Sequence, residues 1–204
     1  MAVISKEYCR DEEWPSVPPG IHLARCYGII DLGTQKTTQL GETKYLSEVM
    51  LQFELHDVSE ARGPLFTANG EPMSISKSFT LSLAKKATLR TDIETWRGRE
   101  FTPNELRGFQ LKRVLGEWAL ISVVNATDQA GQDCTGIAAI MPVPPQVKQA
   151  GLPAGHNELK FFYCAAPDIE LFESFSESLK AKIRKSPEWR QYISERARER
   201  VMEC

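Results

Sequence analysis

The stretch Trp96-Arg97-Gly98-Arg99-Glu100-Phe101 sets two guanidinium groups on either side of a glycine, with an aromatic ring at each end. A guanidinium is a planar, permanently charged fork that matches phosphate oxygens and can also lie flat on a base. Aromatic rings add stacking platforms that tolerate any base. Lys85, Lys86 and Arg90 precede the stretch and Lys112 and Arg113 follow it, so positive charge gathers across 85–113. These residue types suit neutralisation of a phosphate backbone with stacking of its bases, a binding chemistry without turnover. The structural alternative is that Trp96 and Phe101 anchor a connection between helices while the arginines pair with Glu94 and Glu100.

A second candidate surface involves Lys36 and Lys44, which bracket a polar segment with Tyr27 and Tyr45 nearby. Lys77 and Phe79 extend it if they share a sheet face with that segment. Each aromatic here has packing as its plainer explanation.

Other chemistries lack their residue patterns. His22, His56 and His156 are far apart, and neither a zinc-protease motif nor a finger spacing is present. Ser74, Ser76 and Ser78 flank Lys77 without a nucleophile elbow, which reads as an edge strand with alternating polar residues. Gly28 and Gly33 fit neither phosphate-loop pattern, and Asp92 with Glu94 reads as solvated helix surface. No catalytic residue, metal ligand or cofactor is therefore assigned. The five cysteines form no CxxC pair, and with no secretory signal before Cys9 they are expected to be reduced thiols.

The elements that must position these side chains follow from periodicity. Residues 1–19 read as a flexible arm, acidic at Glu7, Asp11, Glu12 and Glu13 and broken by Pro15, Pro18 and Pro19. Ile21–Asp31 reads as a first strand and Leu32–Gly41 as a polar loop. Tyr45–Leu55 is a second strand, because Val49, Leu51, Phe53 and Leu55 alternate with Met50, Gln52 and Glu54. Gly63-Pro64 and Asn69-Gly70 mark an excursion across Asp57–Pro72, and Ser74–Thr80 is a third strand.

A helix is expected from about Leu83 to Trp96 on the stripe Leu89, Ile93 and Trp96, ended by Gly98. Thr102, Pro103 and Glu105 then form the start signal of a second, brief helix. Leu115–Val124 and Thr135–Met141 are the fourth and fifth strands, joined by a turn with Asp128, Gly131 and Asp133. Pro142, Pro144 and Pro145 end the domain.

Three strands, a helical insert and two more strands is the order of a five-stranded OB-like barrel. A mainly β OB-like domain over 20–145 is thus expected, another small barrel or sandwich being the alternative. Residues 146–204 read as a linker followed by an acidic and helical extension, with an aromatic patch at Phe161-Phe162-Tyr163 and a fresh helix start at Ser186-Pro187-Glu188.

A net charge of -2 argues against a uniformly basic, duplex-coating surface but leaves room for a local cationic groove. No apolar run reaches the roughly 18 residues of a membrane span.

Gly33-Thr34-Gln35, Ile75–Leu83, Lys86–Arg90, Trp96–Thr102 and Leu115-Gly116 together resemble a family of small tailed-bacteriophage proteins known as uncharacterised or putative single-stranded DNA-binding proteins. The resemblance covers about 20–145, and it brings no assigned binding residues. It implies single-stranded DNA as partner, with RNA the other candidate, and a role in phage DNA replication or recombination in the cytoplasm of the infected bacterial host. The chain lacks the acidic, phenylalanine-tipped end of familiar bacterial single-strand binders, closing instead on Arg200–Cys204. Residues 161–204 are then candidates for self-association or for holding a host or phage replication protein. The competing function is a phage adaptor that binds or inhibits a host protein.

Overall fold

The computed structural model describes residues 17–39, 42–57, 63–68, 70, 72–127 and 133–202. Most of the expected arm, the end of the expected polar loop at 40–41, Asn69 and the expected turn at Asp128 and Gly131 lie outside the described residues. Val17 is buried in the main core.

The chain is mainly β, an open sheet with several helices. Five strands, β1 (Gly20–Gln39), β2 (Glu42–His56), β3 (Ser74–Thr80), β4 (Trp118–Thr127) and β5 (Asp133–Met141), run antiparallel in the order β3-β2-β1-β4-β5. A sixth, β6 (Lys160–Phe162), lies parallel to β1. β3 and β5, at the two ends of the path, touch each other, but no ladder joins them among the described residues. The helix α1 (Thr88–Arg97) packs against both of these strands. Its stripe of Leu89, Ile93 and Trp96 is buried, and the Lys77–Asp92 ion pair at 2.7 Å ties it to β3.

Leu32–Gln39 is not a loop: it continues β1, paired with Glu42–Glu48. Its threonines are β-branched, and Thr34 and Thr38 face Ser47 and Thr43 across the ladder, so the polar hairpin is held by its backbone and hydroxyl pairs. Helix α1 begins at Thr88 rather than near Leu83: the chain makes a turn at 84–86, where the Ala87 amide donates to the Ala84 carbonyl at 2.8 Å, and the buried stripe begins at Leu89. Lys85 and Lys86 therefore stand on an exposed turn.

The face of β2 opposite the main core is also covered. Met50 joins Ile30, Leu32, Phe162, Phe172, Leu179 and Trp189 in a second core. That core is roofed by α4 (Ile169–Glu173), α5 (Glu177–Arg184) and α6 (Pro187–Met202). The C-terminal extension thus packs on the sheet, and most of its aromatic residues are interior. Gly33 permits the close approach: at φ 67° it sits where a Cβ would lie 2.6 Å from that of Ser186. The Glu188 carboxylate then accepts from the Thr34 amide at 2.9 Å and hydroxyl at 2.6 Å.

Further along the same face, Arg25 on β1 stands between Glu54 on β2 and Trp118 on β4. Glu54 is buried and accepts from Arg25 at 3.2 Å and from the amides of His156 and Asn157 at 3.0 and 2.6 Å; His56 lies 3.3 Å away. This pins the connection that follows α3 (Pro145–Gln149) against the sheet. Cys26 and Cys164 are free and buried, whereas Cys134 is disulfide-bonded, which departs from the expectation of reduced thiols throughout.

Candidate nucleic-acid interface

Helix α1 stops at Gly98, which takes the left-handed conformation at φ 66° while the amides of Gly98 and Arg99 return to the carbonyls of Thr95 and Glu94. The chain reverses into α2 (Pro103–Gly108), started by a complete capping box between Thr102 and Glu105. The box has a second consequence. The Glu105 carboxylate also receives Arg97 at 2.5 Å and Arg99 at 2.9 Å. Hydrogen bonds from Arg99, the Thr102 amide and Arg97 hold its carboxyl far below the usual range. The arginines thus pair with Glu105 rather than with Glu94 and Glu100 as the structural alternative supposed. Glu94 instead binds Arg90 at 2.9 Å and the Phe101 amide at 3.0 Å.

The Arg97 guanidinium lies over the rings of Phe101 and Phe109, 4.8 and 5.1 Å from their centroids. Its Nη1 is buried with no hydrogen-bond partner among the described residues. Beside it opens a cavity of about 360 Å³ between the α1–α2 turn, the 3-10 turn Leu111–Val114, the start of β4, the end of β5 and α3. Arg97, Arg99, Arg113 and Lys148 line it together with Phe109 and Trp118, against the acids Glu105 and Glu117. Arg113 and Lys148 have no acidic partner among the described residues. Trp96 is core, and its indole N–H donates to the Trp118 carbonyl at 2.8 Å, fixing the helix to the strand that walls the cavity. Chemically, this is a basic and aromatic recess, suited to an anionic group attached to a flat ring.

The other candidate residues are distributed elsewhere. Lys112 is exposed next to Arg113, with Nζ 5.5 Å from the centroid of the Phe161 ring. Arg90 is occupied by Glu94, and Lys77 by Asp92. Phe79 is buried in the main core, where its ring has no open face for a base. Lys85 and Lys86 stand at the opposite end of α1, about 15 Å from the cavity. Lys36 and Tyr45 pair across the β1–β2 hairpin with Lys44 alongside, 3.3 Å from Glu42, so none of the three sits on a loop.

Sequence reasoning missed Lys148, Phe109 and Trp118. Lys148 fell in a stretch that read as linker, and no local pattern relates it to Arg97. The start of β4 was the only available signal for Trp118.

Among the described residues, no three His, Cys, Asp or Glu side chains gather as a metal site, and no helix is long and apolar enough to cross a membrane. The chain matches no protein-family model and no curated protein.

Proposed function

We propose that this protein is a non-catalytic single-stranded DNA-binding protein of the OB type, acting in phage DNA replication or recombination within the infected host. The observation that carries the reading is the convergence of Arg97, Arg99, Arg113 and Lys148 on one cavity with Phe109 and Trp118. Cations neutralise phosphates and rings stack bases, and Arg113 and Lys148 bring to the cavity charge that is not already paired with a carboxylate among the described residues. The OB assignment rests on the strand order β3-β2-β1-β4-β5, on the helix between β3 and β4, and on the contact of β3 with β5 where such a barrel would close. The replication setting rests on the resemblance described above.

The test is fluorescence anisotropy with a labelled single strand of about 30 nucleotides, longer than the roughly 4–16 that one OB fold covers. Salt is varied, and duplex DNA and single-stranded RNA compete. Tight binding that weakens with salt and prefers the DNA single strand is the expected result. Replacing Arg113 and Lys148 by alanine should lower the magnitude of the log–log salt slope by about 1.4, two phosphate contacts at roughly 0.7 each. Absence of binding to any nucleic acid would sink the reading. It would favour the adaptor function, which draws support from α6, where Ile193 is 47 % exposed.

A further inference from the structure

The strand β6 lies beside β1 with Lys160, Phe161 and Phe162 opposite Gly28, Ile29 and Ile30. Alternation sends Phe162 into the second core and leaves Phe161 and Tyr163 41 % and 53 % exposed. Packing requires the first of these rings and does not account for the other two. The cation of Lys112 stands 5.5 Å from the Phe161 ring centroid. Lys112 is the chain neighbour of Arg113, which lines the cavity, so the Phe161 ring meets a cation one residue along the 3-10 turn from a cavity-lining one.

We propose that Phe161 and Tyr163 form a stacking platform for bases of the same single strand whose phosphates are held at the cavity. This extends the binding surface beyond the barrel into the C-terminal segment and rests on the reading given under Proposed function. At positions i and i+2 of an extended chain the two rings spring from backbone points about 6.6 Å apart. That is about two stacked-base thicknesses of roughly 3.4 Å, so the pair can engage a base without a change in backbone. Charge decides between a base and an apolar protein side chain as occupant. Lys112 already faces the Phe161 ring, and a nucleotide brings a phosphate for that ammonium together with a flat base for the ring.

The experiment titrates the full chain against a labelled oligothymidylate of about 30 nucleotides and against an abasic strand of the same length, which keeps the phosphates and lacks the bases. Phe161→Ala and Tyr163→Ala should each weaken thymidylate binding by roughly tenfold. Both should leave abasic binding and the salt slope as in the wild type, because a ring carries no counterion-releasing charge. Phe161→Tyr should bind like the wild type. Independently of any variant, photocrosslinking of a bromouracil-substituted strand to the wild-type chain should place adducts on Phe161 or Tyr163. Alanine variants that bind thymidylate at full strength, or crosslinks confined to other segments, overturn this inference and leave the cavity reading standing. A wild-type chain that binds neither strand overturns both.

Discussion

Arg97 and Glu105 meet in the wall of the cavity, Nη2 to Oε1 at 2.5 Å, although one belongs to the end of α1 and the other to the capping box of α2. Glu105 holds the guanidinium in place over two phenylalanine rings and at the same time neutralises it and its neighbour Arg99. A phosphate entering the cavity therefore competes with a carboxylate already there.

Glu105→Gln removes that competitor while keeping a side chain that can complete the capping box. The expected outcome is several-fold tighter binding to a single strand and a steeper dependence on salt, both read by anisotropy titration. Unchanged or weaker binding would mean that Arg97 and Arg99 serve the fold rather than the strand.

Glu54 governs acid stability. Burial pushes its carboxyl upward, but hydrogen bonds from His56, Asn157 and His156 outweigh this and bring it down to about 2 from an ordinary 4.5. A carboxylate whose folded-state pKa is depressed stabilises fully above its unfolded value and loses that contribution as pH falls through the folded one. The melting temperature of the wild type should therefore fall between about pH 4.5 and pH 2 more steeply than that of Glu54→Gln. At neutral pH the variant should lose about 3–5 kcal/mol in urea unfolding, because Arg25, 14 % exposed, is left without its counter-charge.

Trp189 holds the C-terminal helices to the sheet. It stacks on Phe172 at 4.0 Å and its amide donates to the Ser186 hydroxyl at 3.2 Å. Trp189→Ala should cost about 3–5 kcal/mol, as for other buried large aromatics. Hydrogen exchange should quicken first in α4, α5 and α6, with α1 keeping its protection. Uniform acceleration across the chain would show that the two cores unfold as one unit.

Cys26 and Cys164 should be silent to iodoacetamide near pH 8 in the folded chain and react once urea unfolds it. Burial pushes both thiols up, Cys164 to about 11 despite the hydrogen bond it shares with Ser186. Mass spectrometry of the alkylated peptides reads the result, and rapid labelling of either residue in the native state would contradict the packing described.

The amino-acid sequence by itself determined the features that depend on neighbours along the chain. The alternation of Val49, Leu51, Phe53 and Leu55 marks β2, and Ile75 with Phe79 marks β3 at its observed limits. Gly98 ends α1, Thr102 and Glu105 start α2, and Ser186-Pro187 separates α5 from α6. Period, capping and proline chemistry act within a few residues, so they are legible before folding.

Only the tertiary structure decided what lies across from what. Thr34–Gln39 is strand because Glu42–Ser47 pairs with it, and Phe161 lies in a strand because Ile29 runs alongside. Glu54 looked like the polar side of a half-exposed strand, yet it is interior because a segment a hundred residues later folds over it. The candidate cations were sorted the same way. Lys77 and Arg90 met carboxylates, while Arg113 was brought beside Lys148 from a stretch with no local signal. Ladder pairing and ion pairing are set by distance in space, and no spacing along the chain encodes which distant partner arrives.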